Sequence, residues 1–163
     1  MLPLLSDYVK FNVWANRQFV QWLQDKPSDL LIQEMPSSMP TIMATLLHIW
    51  GAEEIWLYRL RKLPTPVFLP QRFQGTNTDV FEGLLKQSED FAEYAGGLSE
   101  QELQEICPFK LLNGSEDSRP RYQMIHHCMN HSTYHRGQLV TMGRNAGLND
   151  PPSTDFIKYV RQL

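Results

Sequence analysis

The sequence predicts an all-α fold: a four-helix bundle with one crossover connection, a short C-terminal helix and a small hairpin ahead of the fourth long helix. Three observations carry this. In four separate stretches, apolar residues recur every three or four positions, the spacing that turns one helical face toward a core. Clusters rich in proline and glycine separate those stretches, as breakers do. All five histidines fall within two of the stretches, and ligand sites in bundles form between facing helices.

The first helix is expected from about Leu4 to Asp25, with Tyr8, Phe11, Ala15, Phe19 and Trp22 on one face. Pro27 and Ser28 end it, and Pro36 to Pro40 form a loop. Thr41 offers a hydroxyl as N-cap. The second helix, to about Lys62, carries Ile42, Leu46, Ile49, Glu53, Trp56 and Leu60 on a stripe that Leu47, Trp50 and Leu57 widen. Pro64, Pro66 and Pro70 make the next stretch extended, long enough for a crossover. A third helix restarts at Asn77 or Thr78, runs through Phe81, Leu84, Leu85, Ser88, Phe91 and Ala95, and stops at Gly96-Gly97.

Ser99 caps one further turn, Glu100 to Gln104. From Ile106 to Arg119 the helical period disappears. Phe109, Leu111 and Leu112 lead into Asn113-Gly114, a dipeptide suited to a type I′ hairpin turn. Pro120 fits the first position of a long fourth helix, which reaches Asn145 or Ala146 with Gly147 as terminator. Pro151-Pro152 and Ser153/Thr154 reset the chain for a last short helix burying Phe156, Tyr159 and Val160.

At 163 residues, one domain spanning 1–163 accounts for the chain. Apolar residues make up 42% and charged residues 20%, with a formal net charge of -3, the profile of a globular protein. The basic residues are scattered, and the densest run, Arg59, Arg61 and Lys62, is short. Nucleic acid is therefore not an expected partner. No apolar run approaches the roughly 20 residues that cross a bilayer. The N-terminal residues lack a basic segment and a cleavage site, and Cys107 and Cys128 show no disulfide or C-x-x-C spacing. A reducing cytoplasm is the expected location.

Four histidines, His126, His127, His131 and His135, lie on the fourth helix, and His48 lies on the second. Residues four apart on a helix are offset by about 40° and roughly 6 Å, so His131 and His135 can lean toward one ion. The pair H-x₃-H is the helical clamp of H-E-x-x-H enzymes, but no glutamate stands inside it, which excludes the protease reading. His48 sits in Leu46-Leu47-His48-Ile49-Trp50, where an unpartnered imidazole carries a desolvation cost. A metal shared by His48, His131 and His135 removes that cost and leaves coordination positions open. His127 is assigned a supporting role, because three ligands along one helix span too far for one ion. His126 points away from the stripe. Cys128 is read as a small buried hydrophobe, Glu53 as poorly aligned for ligation and Glu54 as solvated charge. The competing reading treats all five imidazoles as polar groups of an ordinary bundle.

Four stretches resemble the DinB-like proteins of the DinB/thiol S-transferase superfamily (unrelated to the polymerase that shares the name). They are Val13-Trp14-Ala15-Asn16, Leu46-Leu47-His48-Ile49, His127-x₃-His131-x₃-His135-Arg136-Gly137-Gln138 and Asp150-Pro151-Pro152-Ser153-Thr154-Asp155. They span nearly the whole chain, and the HRGQ after the second clamp histidine is the most specific. The resemblance implies a four-helix bundle, commonly a homodimer, with one divalent metal ion per chain, zinc or nickel, on His48, His131 and His135. It also implies chemistry on low-molecular-weight thiols in some relatives.

Three functions follow for testing. The first is a metal-dependent thiol S-transferase or hydrolase, the second a non-catalytic metal-binding protein of a stress response, the third a structural helical dimer. For Arg136 and Gln138, packing within the bundle and substrate orientation both stand open at this level. Tyr134 is read as a core or interface aromatic.

Overall fold

The computed structural model describes residues 2–111 and 113–163. Met1 and Leu112, the latter assigned above to the run into the hairpin turn, lie outside the described residues. In chain order the elements are α1 (Leu2–Leu23), a single turn α2 (Ser28–Leu31), α3 (Ile42–Leu60), a second turn α4 (Leu69–Arg72), α5 (Asn77–Gly96), α6 (Glu100–Gln104), β1 (Ile106–Lys110), β2 (Glu116–Pro120), α7 (Arg121–Asn145) and α8 (Phe156–Val160).

The helix starts follow local chemistry. Thr41 Oγ1 accepts a hydrogen bond from the amide of Ala44 at 2.9 Å, satisfying one orphan donor of α3. Thr76 with Asp79, and Ser99 with Glu102, form reciprocal capping boxes at α5 and α6, each holding two further amides. Gly147, at φ 77°, adopts the left-handed conformation that ends α7. Pro120 departs from expectation: it closes β2 and occupies the N-cap position of α7 with ψ 145°. Its carbonyl side still belongs to the hairpin, so Arg121 becomes the first helical residue.

α5 packs against both α1 and α3, and α7 packs against both α3 and α1. Around the bundle the order is therefore α1, α5, α3, α7. Trp50 lies against Gly83, Ser88 bonds Glu53, and Tyr94 bonds the carbonyl of Leu60, so α3 and α5 run in the same direction. The Pro-rich chain between them must return along the bundle, and this is the expected crossover. α7 runs against α3, since Met142 meets Thr45 at one end and Arg121 meets Leu60 at the other.

On its way the crossover presses on α3 at Gly51. A Cβ there would sit 2.9 Å from the Phe68 ring and 3.0 Å from Pro70, so only glycine admits this approach. The result is a side wall on the outer face of α3, built by Phe68 and the α4 turn.

Two apolar clusters fill the bundle. One gathers Phe19, Leu23, Leu46, Ile49, Leu84 and Leu139, and the other Val9, Leu60, Phe91, Leu103, Ile125 and Met129. α8 lays Phe156 and Tyr159 against Phe11 and Trp14 of α1, as expected. β1 and β2 pair antiparallel from Ile106↔Pro120 to Lys110↔Glu116. The turn differs from type I′, which requires positive φ at both central residues. Of Asn113 and Gly114, only Gly114 has positive φ, 85°, and the loop closes through Leu111 and Ser115 at 2.8 Å. Among the described residues no helix is long and apolar enough to cross a membrane.

Candidate metal centre

Between the two apolar clusters lies a buried polar layer. Asn12 and Asn16 come from α1, Glu53 from α3, Ser88 from α5, and Ser132 and Arg136 from α7, and all six are buried. Glu53 Oε1 accepts from Asn12 Nδ2 at 2.8 Å, Asn16 Nδ2 at 3.1 Å and Ser132 Oγ at 3.1 Å, while Oε2 accepts from Ser88 Oγ at 2.7 Å. The same asparagines turn their carbonyl oxygens to Arg136 Nη1, at 2.6 and 2.8 Å. Glu53 and Arg136 thus form an ion pair relayed through two amides. Burial pushes the Glu53 carboxyl up, against its hydrogen bonds and the Arg136 charge. Burial likewise lowers the Arg136 guanidinium to about 10, opposed by Glu53. Each charge is tolerable inside the bundle because every member of the layer has a partner.

This layer fixes how α7 is rotated. Ser132 and Arg136 point inward, so His131 and His135, one position earlier in each case, point about 100° away toward α3. There they meet His48. His131 Nε2 lies 3.1 Å from His48 Nε2 and 3.1 Å from His135 Nε2, and all three ligand atoms fall within 4.8 Å of one another. Nitrogens bound tetrahedrally at roughly 2.0–2.1 Å stand about 3.3 Å apart, close to the two 3.1 Å separations that His131 makes.

The donor set fits a cation. His135 Nδ1 lies 2.8 Å from Gln138 Oε1. The carbonyl oxygen can only accept, so Nδ1 carries the proton and Nε2 presents a lone pair to the cluster. His131 Nε2 faces two other imidazole nitrogens and has at most one proton to give. One shared cation satisfies all three lone pairs. Burial, then the neighbouring His135 charge, lowers His48 to about 4. Burial, then His135, His48 and His127, lowers His131 to about 3. Burial also lowers His135, against its bond to Gln138. The rings are therefore neutral at physiological pH, the protonation state of a ligand.

The surroundings separate the other candidates. His127 is exposed and packs its ring on Trp56 at 4.8 Å, with 6.3 Å to the His131 ring. His126 is exposed beside Tyr8. Cys128 is wholly buried, and burial holds its thiol well up. Tyr134 is no core residue: it is 62% exposed, with its ring edge on His135. Glu54 is not free in solvent but pairs with Arg72. Phe68 stands edge-on to His48 at 5.7 Å, and a groove of about 270 Å³ runs past Tyr134, Gly137 and Gln138.

The sequence profile of the DinB family matches residues 1–162. The chain belongs to the DinB family. Protein DinB of Bacillus subtilis (strain 168) is 28% identical over 169 residues, covering 96% of this chain and 95% of that one. A crystal structure of a DinB-like protein from Bacillus cereus ATCC 10987 matches with a TM-score of 0.70 at 20% identity, over 88% of this chain and 91% of that chain. That likeness concerns the fold. In this DinB-family chain, sequence reasoning found the three histidines but missed the polar layer. Its signal was present as Asn12/Asn16 and Ser132/Arg136, polar pairs four apart on otherwise apolar faces.

Proposed function

We propose that this protein holds one divalent cation, zinc or nickel, on His48, His131 and His135 and uses it as a thiol S-transferase. The convergence of three neutral Nε2 atoms from two helices supports the reading most directly. Such a cation would lower the pKa of a bound thiol or water near neutral pH.

The chain's own groups favour a thiol over water. Among the described residues no carboxylate joins the three-histidine cluster, and the carboxylate of Glu53 is saturated by the polar layer. A free thiol, at roughly 8.5 against about 15.7 for water, needs the smaller shift from a cation to become the nucleophile. The nucleophile is not a protein cysteine either, because Cys107 and Cys128 are buried and burial raises both thiols. The thiol must arrive as a substrate. Gln138 orients His135, Phe68 shields one side of His48, and the partial exposure of His48 and His131 leaves access.

Elemental analysis of untagged protein, beside His131→Ala/His135→Ala, tests the site, with about one equivalent expected in the parent and none in the variant. Metal-loaded protein is then incubated with low-molecular-weight thiols and a model electrophile. Bound metal without metal-dependent turnover of any thiol would leave a binding protein, not a transferase.

A further inference from the structure

The basic run Arg59, Arg61 and Lys62 plays no part in the histidine cluster, and Arg59 is its unusual member. Its side chain is 5% exposed, yet among the described residues it pairs with no carboxylate. Its guanidinium packs on the edge-to-face pair of the Trp56 ring, at 4.6 Å, and the Phe109 ring, at 5.2 Å. Among the described residues, Nη2 alone has a hydrogen-bond acceptor, the carbonyl of Lys110 at 2.7 Å, and the buried Nε has none. A guanidinium carries five N–H donors, and a buried charge without a counter-ion is costly. The C-terminal end of α3 offers only a partial negative charge, and Arg121 Nε already takes the carbonyl of Leu60 there.

Arg59 borders a pocket of about 510 Å³ between the end of α3 and the hairpin, together with Lys62, Lys110, Pro64 and Phe109. The acids nearby do not neutralise it. Glu105 is shared between Lys62 and Arg121, and Glu116 is an exposed partner 3.7 Å from Lys110. The border of the pocket therefore combines positive charge, a guanidinium whose Nε has no acceptor among the described residues, and an aromatic wall.

We propose that this pocket is a seat for an oxyanion, the carboxylate or phosphate of a small metabolite, with Arg59 as its principal donor and Lys62 and Lys110 as flanking cations. The seat stands whether or not the histidines hold a metal. Arg59 follows His48 by eleven residues, which places it on the same face of α3, about 16 Å further along. Where the thiol reading also holds, the seat selects an elongated anionic thiol over a short neutral one, a consequence that rests on that reading.

Binding of inorganic phosphate and of succinate to the full chain, followed by calorimetry and by the Arg59 Nε–H resonance, tests the seat. Saturable binding of one or both is expected, and the preferred anion tells a phosphorylated ligand from a carboxylate. Arg59→Gln should weaken it at least tenfold. Because Arg59 also anchors the hairpin, Lys110→Gln provides the second arm. That exposed side chain leaves its backbone carbonyl in place, so affinity should fall severalfold with unchanged Tm. His48→Ala should leave anion affinity unchanged, which separates this site from the metal reading. Absence of binding by either anion, or equal affinity in the parent and Lys110→Gln, overturns the proposal.

Discussion

Gln138 Oε1 stands 2.8 Å from His135 Nδ1 and 2.9 Å from Ser38 Oγ. The amide oxygen is thereby held from both sides, by the helix that carries two of the imidazoles and by the loop ahead of α3. It sets the tautomer of His135 and aims Nε2 at His131. An outer partner of this kind commonly contributes 10–100-fold to metal affinity, as an order of magnitude.

Replacement of Gln138 by Ala should therefore weaken metal binding roughly 10–100-fold while leaving the helical content intact. Chelator competition with a colorimetric metal indicator measures it. Ser38→Ala should act in the same direction but less. A Gln138→Ala protein with unchanged affinity would remove Gln138 from the site.

The metal-free protein should lose stability as pH falls below about 6.5, the unfolded value for histidine. His48 and His131 are lowered to about 4 and about 3 in the fold. Between those values and 6.5 the unfolded chain binds more protons, so stability rises with pH across that window. Glu53, raised by burial, works in the opposite sense just above its ordinary range. Urea unfolding at pH 7.5 and pH 5 should therefore be compared with His48→Ala, in which the pH slope should be shallower. Equal slopes in both proteins would contradict the assigned shifts.

Glu53→Leu and Arg136→Met should each destabilise the fold by about 3–5 kcal/mol, because each leaves the opposite charge buried and unpaired. The double variant should cost clearly less than the sum of the two. Denaturant midpoints of the four proteins give the coupling, and strict additivity would mean that the amide relay carries no pairing.

Gly143→Ala should cost about 1–3 kcal/mol, as overpacking does. The added Cβ would lie 2.2 Å from the Trp22 ring, which is itself held by a 2.9 Å bond from Nε1 to the carbonyl of Asn149. Gly137→Ala on the same helix meets nothing within 4 Å and should be neutral or slightly stabilising. Thermal melts of the two variants side by side read the contrast.

The helices and the histidine cluster were legible because both are local patterns. Periodicity in Phe11, Ala15 and Phe19, breakers at Pro36 to Pro40, and a four-residue histidine spacing need no knowledge of what lies opposite. Glu53 was not legible in the same way. Judged against His48 alone it is a misaligned ligand, and its role depends on Asn12, Asn16, Ser88 and Ser132, which meet it only after four helices assemble. Arg136 likewise resolves into a packing role once those amides are in view. The single turns α2 and α4 were hidden in proline-rich stretches, where Pro27 and Pro70 favour a helical start as readily as a break.

Phe68 reaches His48 from the crossover, not from any of the four long helices. The bundle supplies the three imidazoles and their rotation, whereas one wall beside them belongs to a connecting strap seated on Gly51. These two parts can diverge at different rates. Changes in residues 61–76 can reshape what fits beside His48 without disturbing a single buried contact of the polar layer. Under the proposed metal-dependent reading, a lineage could thus try new substrates on an unchanged histidine cluster, and swapping this strap between relatives would be a direct way to move selectivity from one to another.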